Sequence, residues 1–295
     1  MFRKTPLPAR VWTWLAALAA SAAACRSTQA RTPTWVSDDS TLDQRVRAGE
    51  PSGVKHARFW SKTLQRDVGA VIVTPPSYDS DTDRRYPVVY VFPGIGGDEW
   101  TYLRDVGLES TAMKALWTEP TKAPLVVFGN PGDSGGHQHA AFVLSEELVG
   151  FVDQNYRTRT DANGRSLEGF SLGGATALTL LLHRPDVFGR AVAISSACYL
   201  LPECDALRAG IVAHAKRQPN AKVLLAIGER DVAKNRAIND ELAPLLGVEV
   251  QVVPNADHDW AAQIATRMRS DGREFGSQIS EFHLAGFALA PTPPR

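Results

Sequence analysis

The residues of this sequence that could do chemistry centre on Ser171, within the stretch 169–174 (GFSLGG). A short strand is predicted just before this stretch, at residues 165–168, and a buried helix just after it, at residues 175–182. A serine in a tight turn between a strand and a helix, within G-x-S-x-G, is typical of a nucleophile elbow. The N-terminus of the following helix offers N–H groups and partial positive charge to an anion formed at the serine. In the alternative interpretation, the glycines serve packing alone and Ser171 caps the helix.

A serine nucleophile needs a base to take its proton and a third group to orient that base. In sheets with such an elbow, the order along the chain is serine, acid, histidine. We predict His258 as the base, because it lies in a loop straight after a predicted buried strand. The alternative is a loop histidine paired locally with Asp257 or Asp259. The other histidines downstream of the serine fall in predicted helices: His183, His214 and His283.

The acid is expected in the turn that follows the preceding strand, residues 228–231 (GERD). This turn contains two carboxylates, and we predict Asp231 as the acid with Glu229 as the second candidate. Asp231 could instead pair with Arg230 or cap the helix predicted from residue 233. The sequence leaves these alternatives open.

The oxyanion of an acyl-transfer reaction requires backbone N–H donors. One predicted donor is the amide of Leu172, directly after the serine, and the other is the amide of Ile95 in the glycine-rich loop 93–97. This loop could also be a plain tight turn. Candidate pocket residues are Trp100, His137 and His139, although histidines in loops are often merely exposed.

The elements that must position these residues alternate along most of the chain. Strands are predicted at residues 57–64, 69–75, 87–92, 123–128, 165–168, 221–227 and 248–253, and within 187–195. Helices are predicted at residues 106–116, 142–156, 175–182, 207–216, 233–242, 261–269 and 279–284. Such alternation predicts an α/β fold with one mostly parallel, doubly wound sheet, the first two strands pairing at its edge. The loops after the carboxyl ends of its strands should meet at one edge of the sheet, where sites form.

Several motifs, in order, resemble the "Putative esterase" family of α/β-hydrolases. Residues 86–97 (YPVVYVFPGIGG) resemble the family's strand and glycine loop, and residues 146–148 (EEL) with 156–157 (YR) resemble its helix. The elbow is followed by residues 183–189 (HRPDVFG), similar to the family's RHPDLFG. Residues 228–231 (GERD) and 257–260 (DHDW) resemble its acid and base turns.

The resemblance covers most of residues 54–269 and implies an α/β-hydrolase fold, a Ser171–His258–Asp231 triad and no metal or organic cofactor. The family includes esterase D-like carboxylesterases, feruloyl and acetyl-xylan esterases, siderophore esterases and mycolyltransferases. The sequence departs from the family pattern at Pro93, where a histidine is usual, and at Asp257, where glycine is usual. These departures affect the shape of the pocket rather than a catalytic group.

The N-terminal residues predict export. A basic start and an apolar run at residues 11–24, too short to span a bilayer, are typical of a signal peptide at residues 1–24. The small residues before Cys25 resemble a bacterial lipoprotein cleavage site, so Cys25 is a candidate for lipidation; ordinary cleavage after Ala22 or Ala24 is the alternative. We therefore expect a periplasmic or membrane-anchored lipoprotein, or a secreted protein.

Residues 25–53 are predicted to be a linker and residues 54–290 the hydrolase domain. An exported chain would allow a Cys198–Cys204 disulfide, although two free thiols are the alternative.

Charge is balanced, with 32 basic and 32 acidic residues, so nothing in the composition calls for nucleic acid. We predict a serine esterase that acts on a small-molecule or carbohydrate-linked ester, with membrane contact only through a lipid at Cys25. One alternative is an acyltransferase that uses the same triad. The other is a non-catalytic cell-surface binding protein on a hydrolase scaffold.

Overall fold

Strands and helices alternate along the chain in the computed structural model, which describes residues 34–35, 53–129, 144–200 and 204–287. These residues belong to one compact unit, Pro33–Arg295. The strands are β1 (Thr34–Trp35), β2 (Val54–Ser61), β3 (Arg66–Val73), β4 (Val88–Phe92), β5 (Leu125–Gly129), β6 (Arg165–Phe170), β7 (Arg190–Ile194), β8 (Lys222–Gly228) and β9 (Val250–Val253). The predicted signal peptide at residues 1–24 and Cys25 lie outside the described residues.

The described strands form one sheet in the order β1-β2-β3-β5-β4-β6-β7-β8-β9. The strands from β5 to β9 pair in parallel, and β1, β2 and β3 are antiparallel to their neighbours. Strands β4 and β5 are buried along their whole length, as their β-branched and aromatic residues predict for strands covered on both faces. The predicted mostly parallel, doubly wound sheet is confirmed.

The helices cover the sheet on both faces. They are α1 (Thr101–Asp105), α2 (Thr111–Leu116), α3 (Val149–Asn155), α4 (Leu172–His183), α5 (Cys204–Ala215), α6 (Ala233–Leu246), α7 (Trp260–Ala265) and α8 (Phe275–Leu284). One hydrophobic core contains side chains of α3, α4, α5 and α6, and the second contains side chains of α1, α2, α7 and α8. Helix α4 is buried through eleven of its twelve residues, so the helix that follows the elbow is covered along nearly its whole length.

Three predicted helices differ in the structure. The helix expected at residues 106–116 begins only at Thr111, because Gly107 has φ +80° and Ser110 then caps α2 by accepting from the Met113 amide. The helix expected to stop before Pro244 continues through it to Leu246 and ends at Gly247, with φ +64°. Only one intrahelical hydrogen bond is lost at Pro244, and its acceptor would be the carbonyl of Asp240, an exposed residue. The helix expected at residues 142–156 begins as a turn of π-helix, Leu144–Leu148, before α3.

Two differences concern the edge of the sheet. Thr34 and Trp35, within the predicted linker at residues 25–53, pair with Arg58 and Ala57 of β2. Unpaired strand edges bind extended chain readily, and threonine and tryptophan favour strands. Strand β3 pairs with both β2 and β5, so it lies inside the sheet rather than at its edge.

Among the helices in the described part of the chain, none combines the length and the apolar character needed to cross a membrane.

Candidate active site

Ser171, His258 and Asp231 meet beyond the carboxyl ends of the parallel strands. The Oγ of Ser171 lies 3.0 Å from Nε2 of His258. The other ring nitrogen, Nδ1, lies 3.1 Å from both carboxylate oxygens of Asp231. The three side chains therefore form a continuous hydrogen-bonded chain from hydroxyl to carboxylate, which is the geometry of nucleophile, base and orienting acid.

The elbow holds Ser171 in a strained backbone conformation, with φ +55° and ψ −118°. The turn is so tight that a Cβ on Gly169 would lie 2.1 Å from the carbonyl oxygen of Gly173. A Cβ on Gly173 would lie equally close to the carbonyl oxygen of Phe92 in β4. Both glycines are therefore needed to bring the serine up against the neighbouring strand. The Ser171 side chain makes no capping bond to α4 and faces His258, which disfavours the helix-cap interpretation.

His258 lies in the turn between β9 and α7 and is about one-quarter exposed at its side chain. Its ring lies against the ring of Phe170, with 4.7 Å between the centroids, and Phe170 stacks in turn on Trp260. The two neighbouring carboxylates bond elsewhere. Asp257 pairs with Arg230, and Asp259 caps α7 by accepting from the amide of Ala262.

The other downstream histidines lie away from Ser171. The rings of His183 and His214 stack on each other, with 3.6 Å between the centroids, where α4 and α5 meet. His283 is fully buried and contacts Ser166 and Glu168 in β6. The structure therefore brings only His258, of the four candidates, to the serine.

Asp231 is the carboxylate that reaches His258. Its side chain is fully buried, and its Oδ1 accepts from the amide of Val232 at 2.6 Å and from Nδ2 of Asn235 at 2.9 Å. Burial by itself raises the pKa of Asp231, but hydrogen bonds from His258, Ser195 and Asn235 outweigh it and hold the pKa below its ordinary value. The group therefore stays ionised beside the base.

Glu229, the second candidate acid, points away from the site. Its carboxylate pairs with Arg269 and accepts from the backbone amide of Asn255 at 2.8 Å. This arrangement joins the β8 turn to the β9 turn, so we interpret Glu229 as a structural residue at the edge of the site.

Three polar residues surround the acid and base, and none of the three was predicted from the sequence as part of the site. Ser195 follows β7, has φ +49° and accepts from Nε2 of Gln263 at 2.8 Å. The same Gln263 nitrogen donates to the carbonyl of Asp257, next to His258. Asn235 approaches from α6. Of the three, only Ser195 could have been identified from the sequence, because it follows a predicted strand. Gln263 and Asn235 lie within helices, and no sequence pattern distinguishes them from other polar helix residues.

The residues of the predicted oxyanion donors, Ile95 and Leu172, line the same small cavity as Ser171. Leu172 is the first residue of α4, where backbone N–H groups have no partner within the helix. The loop that carries Ile95 approaches closely, since a Cβ on Gly94 would lie 3.3 Å from the Cβ of Ser171. Their roles as donors stay predictions.

Two compartments, one small and one large, are lined by His258 and Ile95, and the small one is also lined by Ser171. The small compartment has a volume of about 120 Å³ and is lined by Ile95, Ser171, Leu172, Ala197, Cys198, Tyr199, Leu200 and His258. The large compartment has a volume of about 520 Å³ and is lined by Gly94, Ile95, Gly97, Thr101, Asp105, Phe170, His258, Asp259, Trp260 and Ala261. The small compartment is walled mainly by apolar side chains, whereas the large one carries two aspartates.

The predicted pocket residues stay predictions. Trp100 is buried, and its ring packs against His56, which pairs with Glu99 at 2.9 Å. Trp260 lines the large compartment. His137 and His139 lie outside the described residues.

Cys198 and Cys204 form a disulfide bond, and Cys198 lines the small compartment. The bond therefore ties one wall of this compartment to the start of α5. Across the described residues, no group of three histidine, cysteine or acidic side chains is arranged to hold a metal ion.

The chain is similar to proteins with known names. The profile of the "Putative esterase" family matches residues 61–266. An endo-1,4-beta-xylanase/feruloyl esterase of Xylanibacter ruminicola is 27% identical over 166 residues, which cover 51% of this chain and 22% of the relative. An esterase of Mycobacterium tuberculosis is 27% identical over 129 residues, covering 41% of this chain and 27% of the relative. The matches thus span less than a third of these curated relatives.

Solved structures share the fold. A ferulic acid esterase from Anaeromyces mucronatus superposes with a TM-score of 0.64 at 21% identity, covering 81% of this chain and 92% of that one. An S-formylglutathione hydrolase from Agrobacterium tumefaciens superposes with a TM-score of 0.59 at 15% identity, covering 81% of this chain and 98% of that one.

Proposed function

This chain belongs to the "Putative esterase" family, and from that premise we propose that it hydrolyses carboxylic esters through an acyl-enzyme on Ser171. The observation that carries the proposal is the unbroken chain from Ser171 Oγ through both ring nitrogens of His258 to the carboxylate of Asp231. A scaffold used only for binding has no need of a strained serine, a buried acid and a base held between them.

In the first half of the reaction, the Oγ of Ser171 attacks the ester carbonyl carbon while its proton passes to Nε2 of His258. The amides of Leu172 and Ile95 stabilise the negative charge that forms on the carbonyl oxygen. When the carbon–oxygen bond to the alcohol breaks, His258 returns the proton to the departing oxygen. The acyl group is left on Ser171.

In the second half, water attacks the acyl-enzyme and gives a proton to His258. Collapse of the second oxyanion releases the acid, and the proton passes from His258 back to Ser171. Asp231 keeps its charge throughout and stabilises the imidazolium that forms twice in each cycle. Neither half requires a metal or a redox step.

The two compartments accommodate different parts of the ester substrate. The acyl group stays bonded to Ser171 through the intermediate, so it must occupy space that Ser171 itself lines, which is the small compartment. The alcohol must leave and be replaced by water, and the open, polar large compartment allows both. Because the small compartment lies well below the roughly 300–1,000 Å³ of a typical ligand pocket, we propose a short acyl group.

A fluorophosphonate probe tests the proposed chemistry directly, because it phosphonylates only an activated serine. We expect stoichiometric labelling, with the probe found by mass spectrometry on the peptide that contains Ser171, and p-nitrophenyl acetate should protect against it. The purified protein should also release acetic acid, rather than a new ester, from p-nitrophenyl acetate in water containing methanol at low concentration. An unlabelled protein would be a binding module, and a mainly transferred acyl group would indicate an acyltransferase.

A panel of p-nitrophenyl esters tests acyl size with a constant leaving group. We expect kcat/KM for acetate and butyrate to exceed that for octanoate and ferulate by at least about tenfold, because excess methylenes must be left outside the small compartment. Leu200→Ala removes a wall residue that is 62% exposed, and it should raise the octanoate-to-butyrate ratio by about threefold or more. Val252→Ala, at an exposed apolar residue of β9, is the matched control and should leave the ratio unchanged. Equal rates on ferulate and acetate in the wild type would contradict the short-acyl proposal.

A further inference from the structure

Asn235 is a buried polar residue that touches both the acid and the base. It lies in the first turn of α6, its side chain is fully buried, and its Nδ2 lies 2.9 Å from Oδ1 of Asp231 and 3.1 Å from Nδ1 of His258. An uncompensated amide is costly to bury, so its position between two functional groups calls for an explanation beyond packing.

The orientation of the Asn235 amide follows from its neighbours. If its oxygen faced Asp231, it would meet carboxylate oxygen at hydrogen-bond distance and repel it, so the NH₂ group must face the acid. That NH₂ group and the amide of Val232 both donate to Oδ1. With two hydrogens already on Oδ1, the lone pairs of Oδ2 are the ones best placed to receive the Nδ1 hydrogen of His258.

This arrangement also restricts the orientation of the imidazole ring of His258. The NH₂ group of Asn235 has no lone pair for the Nδ1 hydrogen, so His258 gains nothing by turning toward α6 and bonds to Asp231 instead. In the tautomer that this bond selects, Nε2 carries no hydrogen and faces Ser171 as an acceptor.

We propose that Asn235 is a positioning residue of the triad, whose amide holds Asp231 in the orientation that receives the His258 Nδ1 hydrogen. The proposal rests on the proposed function, since it assigns a role to Asn235 in the same reaction. It also explains why an asparagine, rather than an apolar residue, occupies a fully buried position of α6.

The same helix offers a matched control. Asn239 lies one turn further along α6, is also fully buried, and donates from Nδ2 to the backbone carbonyl of Asn235 at 2.8 Å. Replacing either asparagine by alanine removes a buried amide from α6. Of the two amides, only that of Asn235 contacts Asp231 and His258.

The test compares Asn235→Ala and Asn239→Ala with p-nitrophenyl acetate, after each protein has been titrated with the fluorophosphonate probe to count working sites. We expect Asn235→Ala to lower kcat by about 10- to 100-fold with KM within twofold of wild type, because a mispositioned acid and base impair only the chemical steps. Asn239→Ala should keep kcat within about twofold of wild type, even if its melting temperature falls as far as that of Asn235→Ala. Equal losses of kcat in the two variants, or an unchanged kcat in Asn235→Ala, would overturn the proposal.

Asn235→Asp keeps the volume of the side chain and tests the proposal even where the alanine variant does not fold. It replaces a donor by a second carboxylate facing Asp231, and two carboxylates so close cannot both ionise easily. We expect a kcat lower than that of wild type at pH 8, with the deficit shrinking as the pH falls and one carboxylate takes up a proton. Arg230, Lys234 and Asp257, on the adjoining turns, are the same in both proteins. A deficit that is absent or independent of pH would overturn the proposal.

Failure of this inference is distinguishable from failure of the proposed function. If the wild type is an esterase and loss of the Ser171 hydroxyl abolishes activity while Asn235→Ala behaves like wild type, only the role of Asn235 is refuted. If the wild type itself neither hydrolyses esters nor takes the probe, the proposed function is refuted.

Discussion

Ser171→Ala should lower kcat for p-nitrophenyl acetate by at least about 10⁴-fold, because it removes the only atom that forms the acyl-enzyme. KM should change by no more than a few-fold, since the compartments and the backbone amides remain. The variant should also lose all labelling by the fluorophosphonate probe. Any residual hydrolysis would come from water attacking a substrate that the oxyanion donors still polarise.

Ser196→Ala is the matched control for this experiment. Ser196 is a fully buried serine near the elbow, where a Cβ on Gly174 would lie 2.7 Å from its Oγ, and its hydroxyl has no hydrogen-bond partner among the described residues. Its removal should leave kcat within about twofold of wild type, because its hydroxyl forms no hydrogen bond with the described residues of the triad. If Ser171→Ala kept wild-type hydrolysis, or if Ser196→Ala lost as much activity, the assignment of the nucleophile would be wrong.

The elbow and its partners could be predicted from the sequence because each is a local pattern tied to a strand end. Gly169 and Gly173 are required by close backbone approach, and that requirement is visible as a spacing in the sequence. His258 and Asp231 follow β9 and β8, and parallel strands bring their carboxyl ends to one edge of the sheet. For these residues, knowing the order of the elements was enough to know which loops meet.

The rest of the site depends on packing between elements that are distant along the chain. Gln263 bonds to Ser195 across 68 positions, and Asn235 reaches His258 across 23. Neither helix reveals from its own sequence which of its polar residues turns inward. Trp100 shows the same limit. It follows the glycine loop along the chain, yet its side chain packs against His56 in β2, and Trp260 is the tryptophan that lines the large compartment.

Two predicted helix boundaries were wrong for a related reason. The helix predicted at residues 106–116 begins only at Thr111, because the backbone at Gly107 has a positive φ. At Pro244 the usual breaker is tolerated, since the helix has only two residues left and the freed carbonyl belongs to an exposed position. Glycine and proline therefore had to be judged by their positions in the structure rather than by residue type alone.

Asp231→Asn should lower kcat by about 10³- to 10⁴-fold with little change in KM, and it separates the two acids that the sequence left open. The substitution keeps the size of the side chain but can present an NH₂ group to Nδ1 of His258. The imidazole would then adopt the tautomer with hydrogen on Nε2, which points a donor rather than an acceptor at the Ser171 hydroxyl. The imidazolium that forms during the reaction would also lose its negative partner.

Glu229→Gln is the corresponding change at the other acid of the same turn. It breaks the ion pair with Arg269, whose side chain is 68% exposed, and such exposed pairs contribute little to stability. We therefore expect kcat within twofold of wild type and a melting temperature lowered by a few degrees at most. Melting curves for both variants show whether each is folded at the assay temperature. Loss of activity in Glu229→Gln with a functional Asp231→Asn would reassign the acid to Glu229.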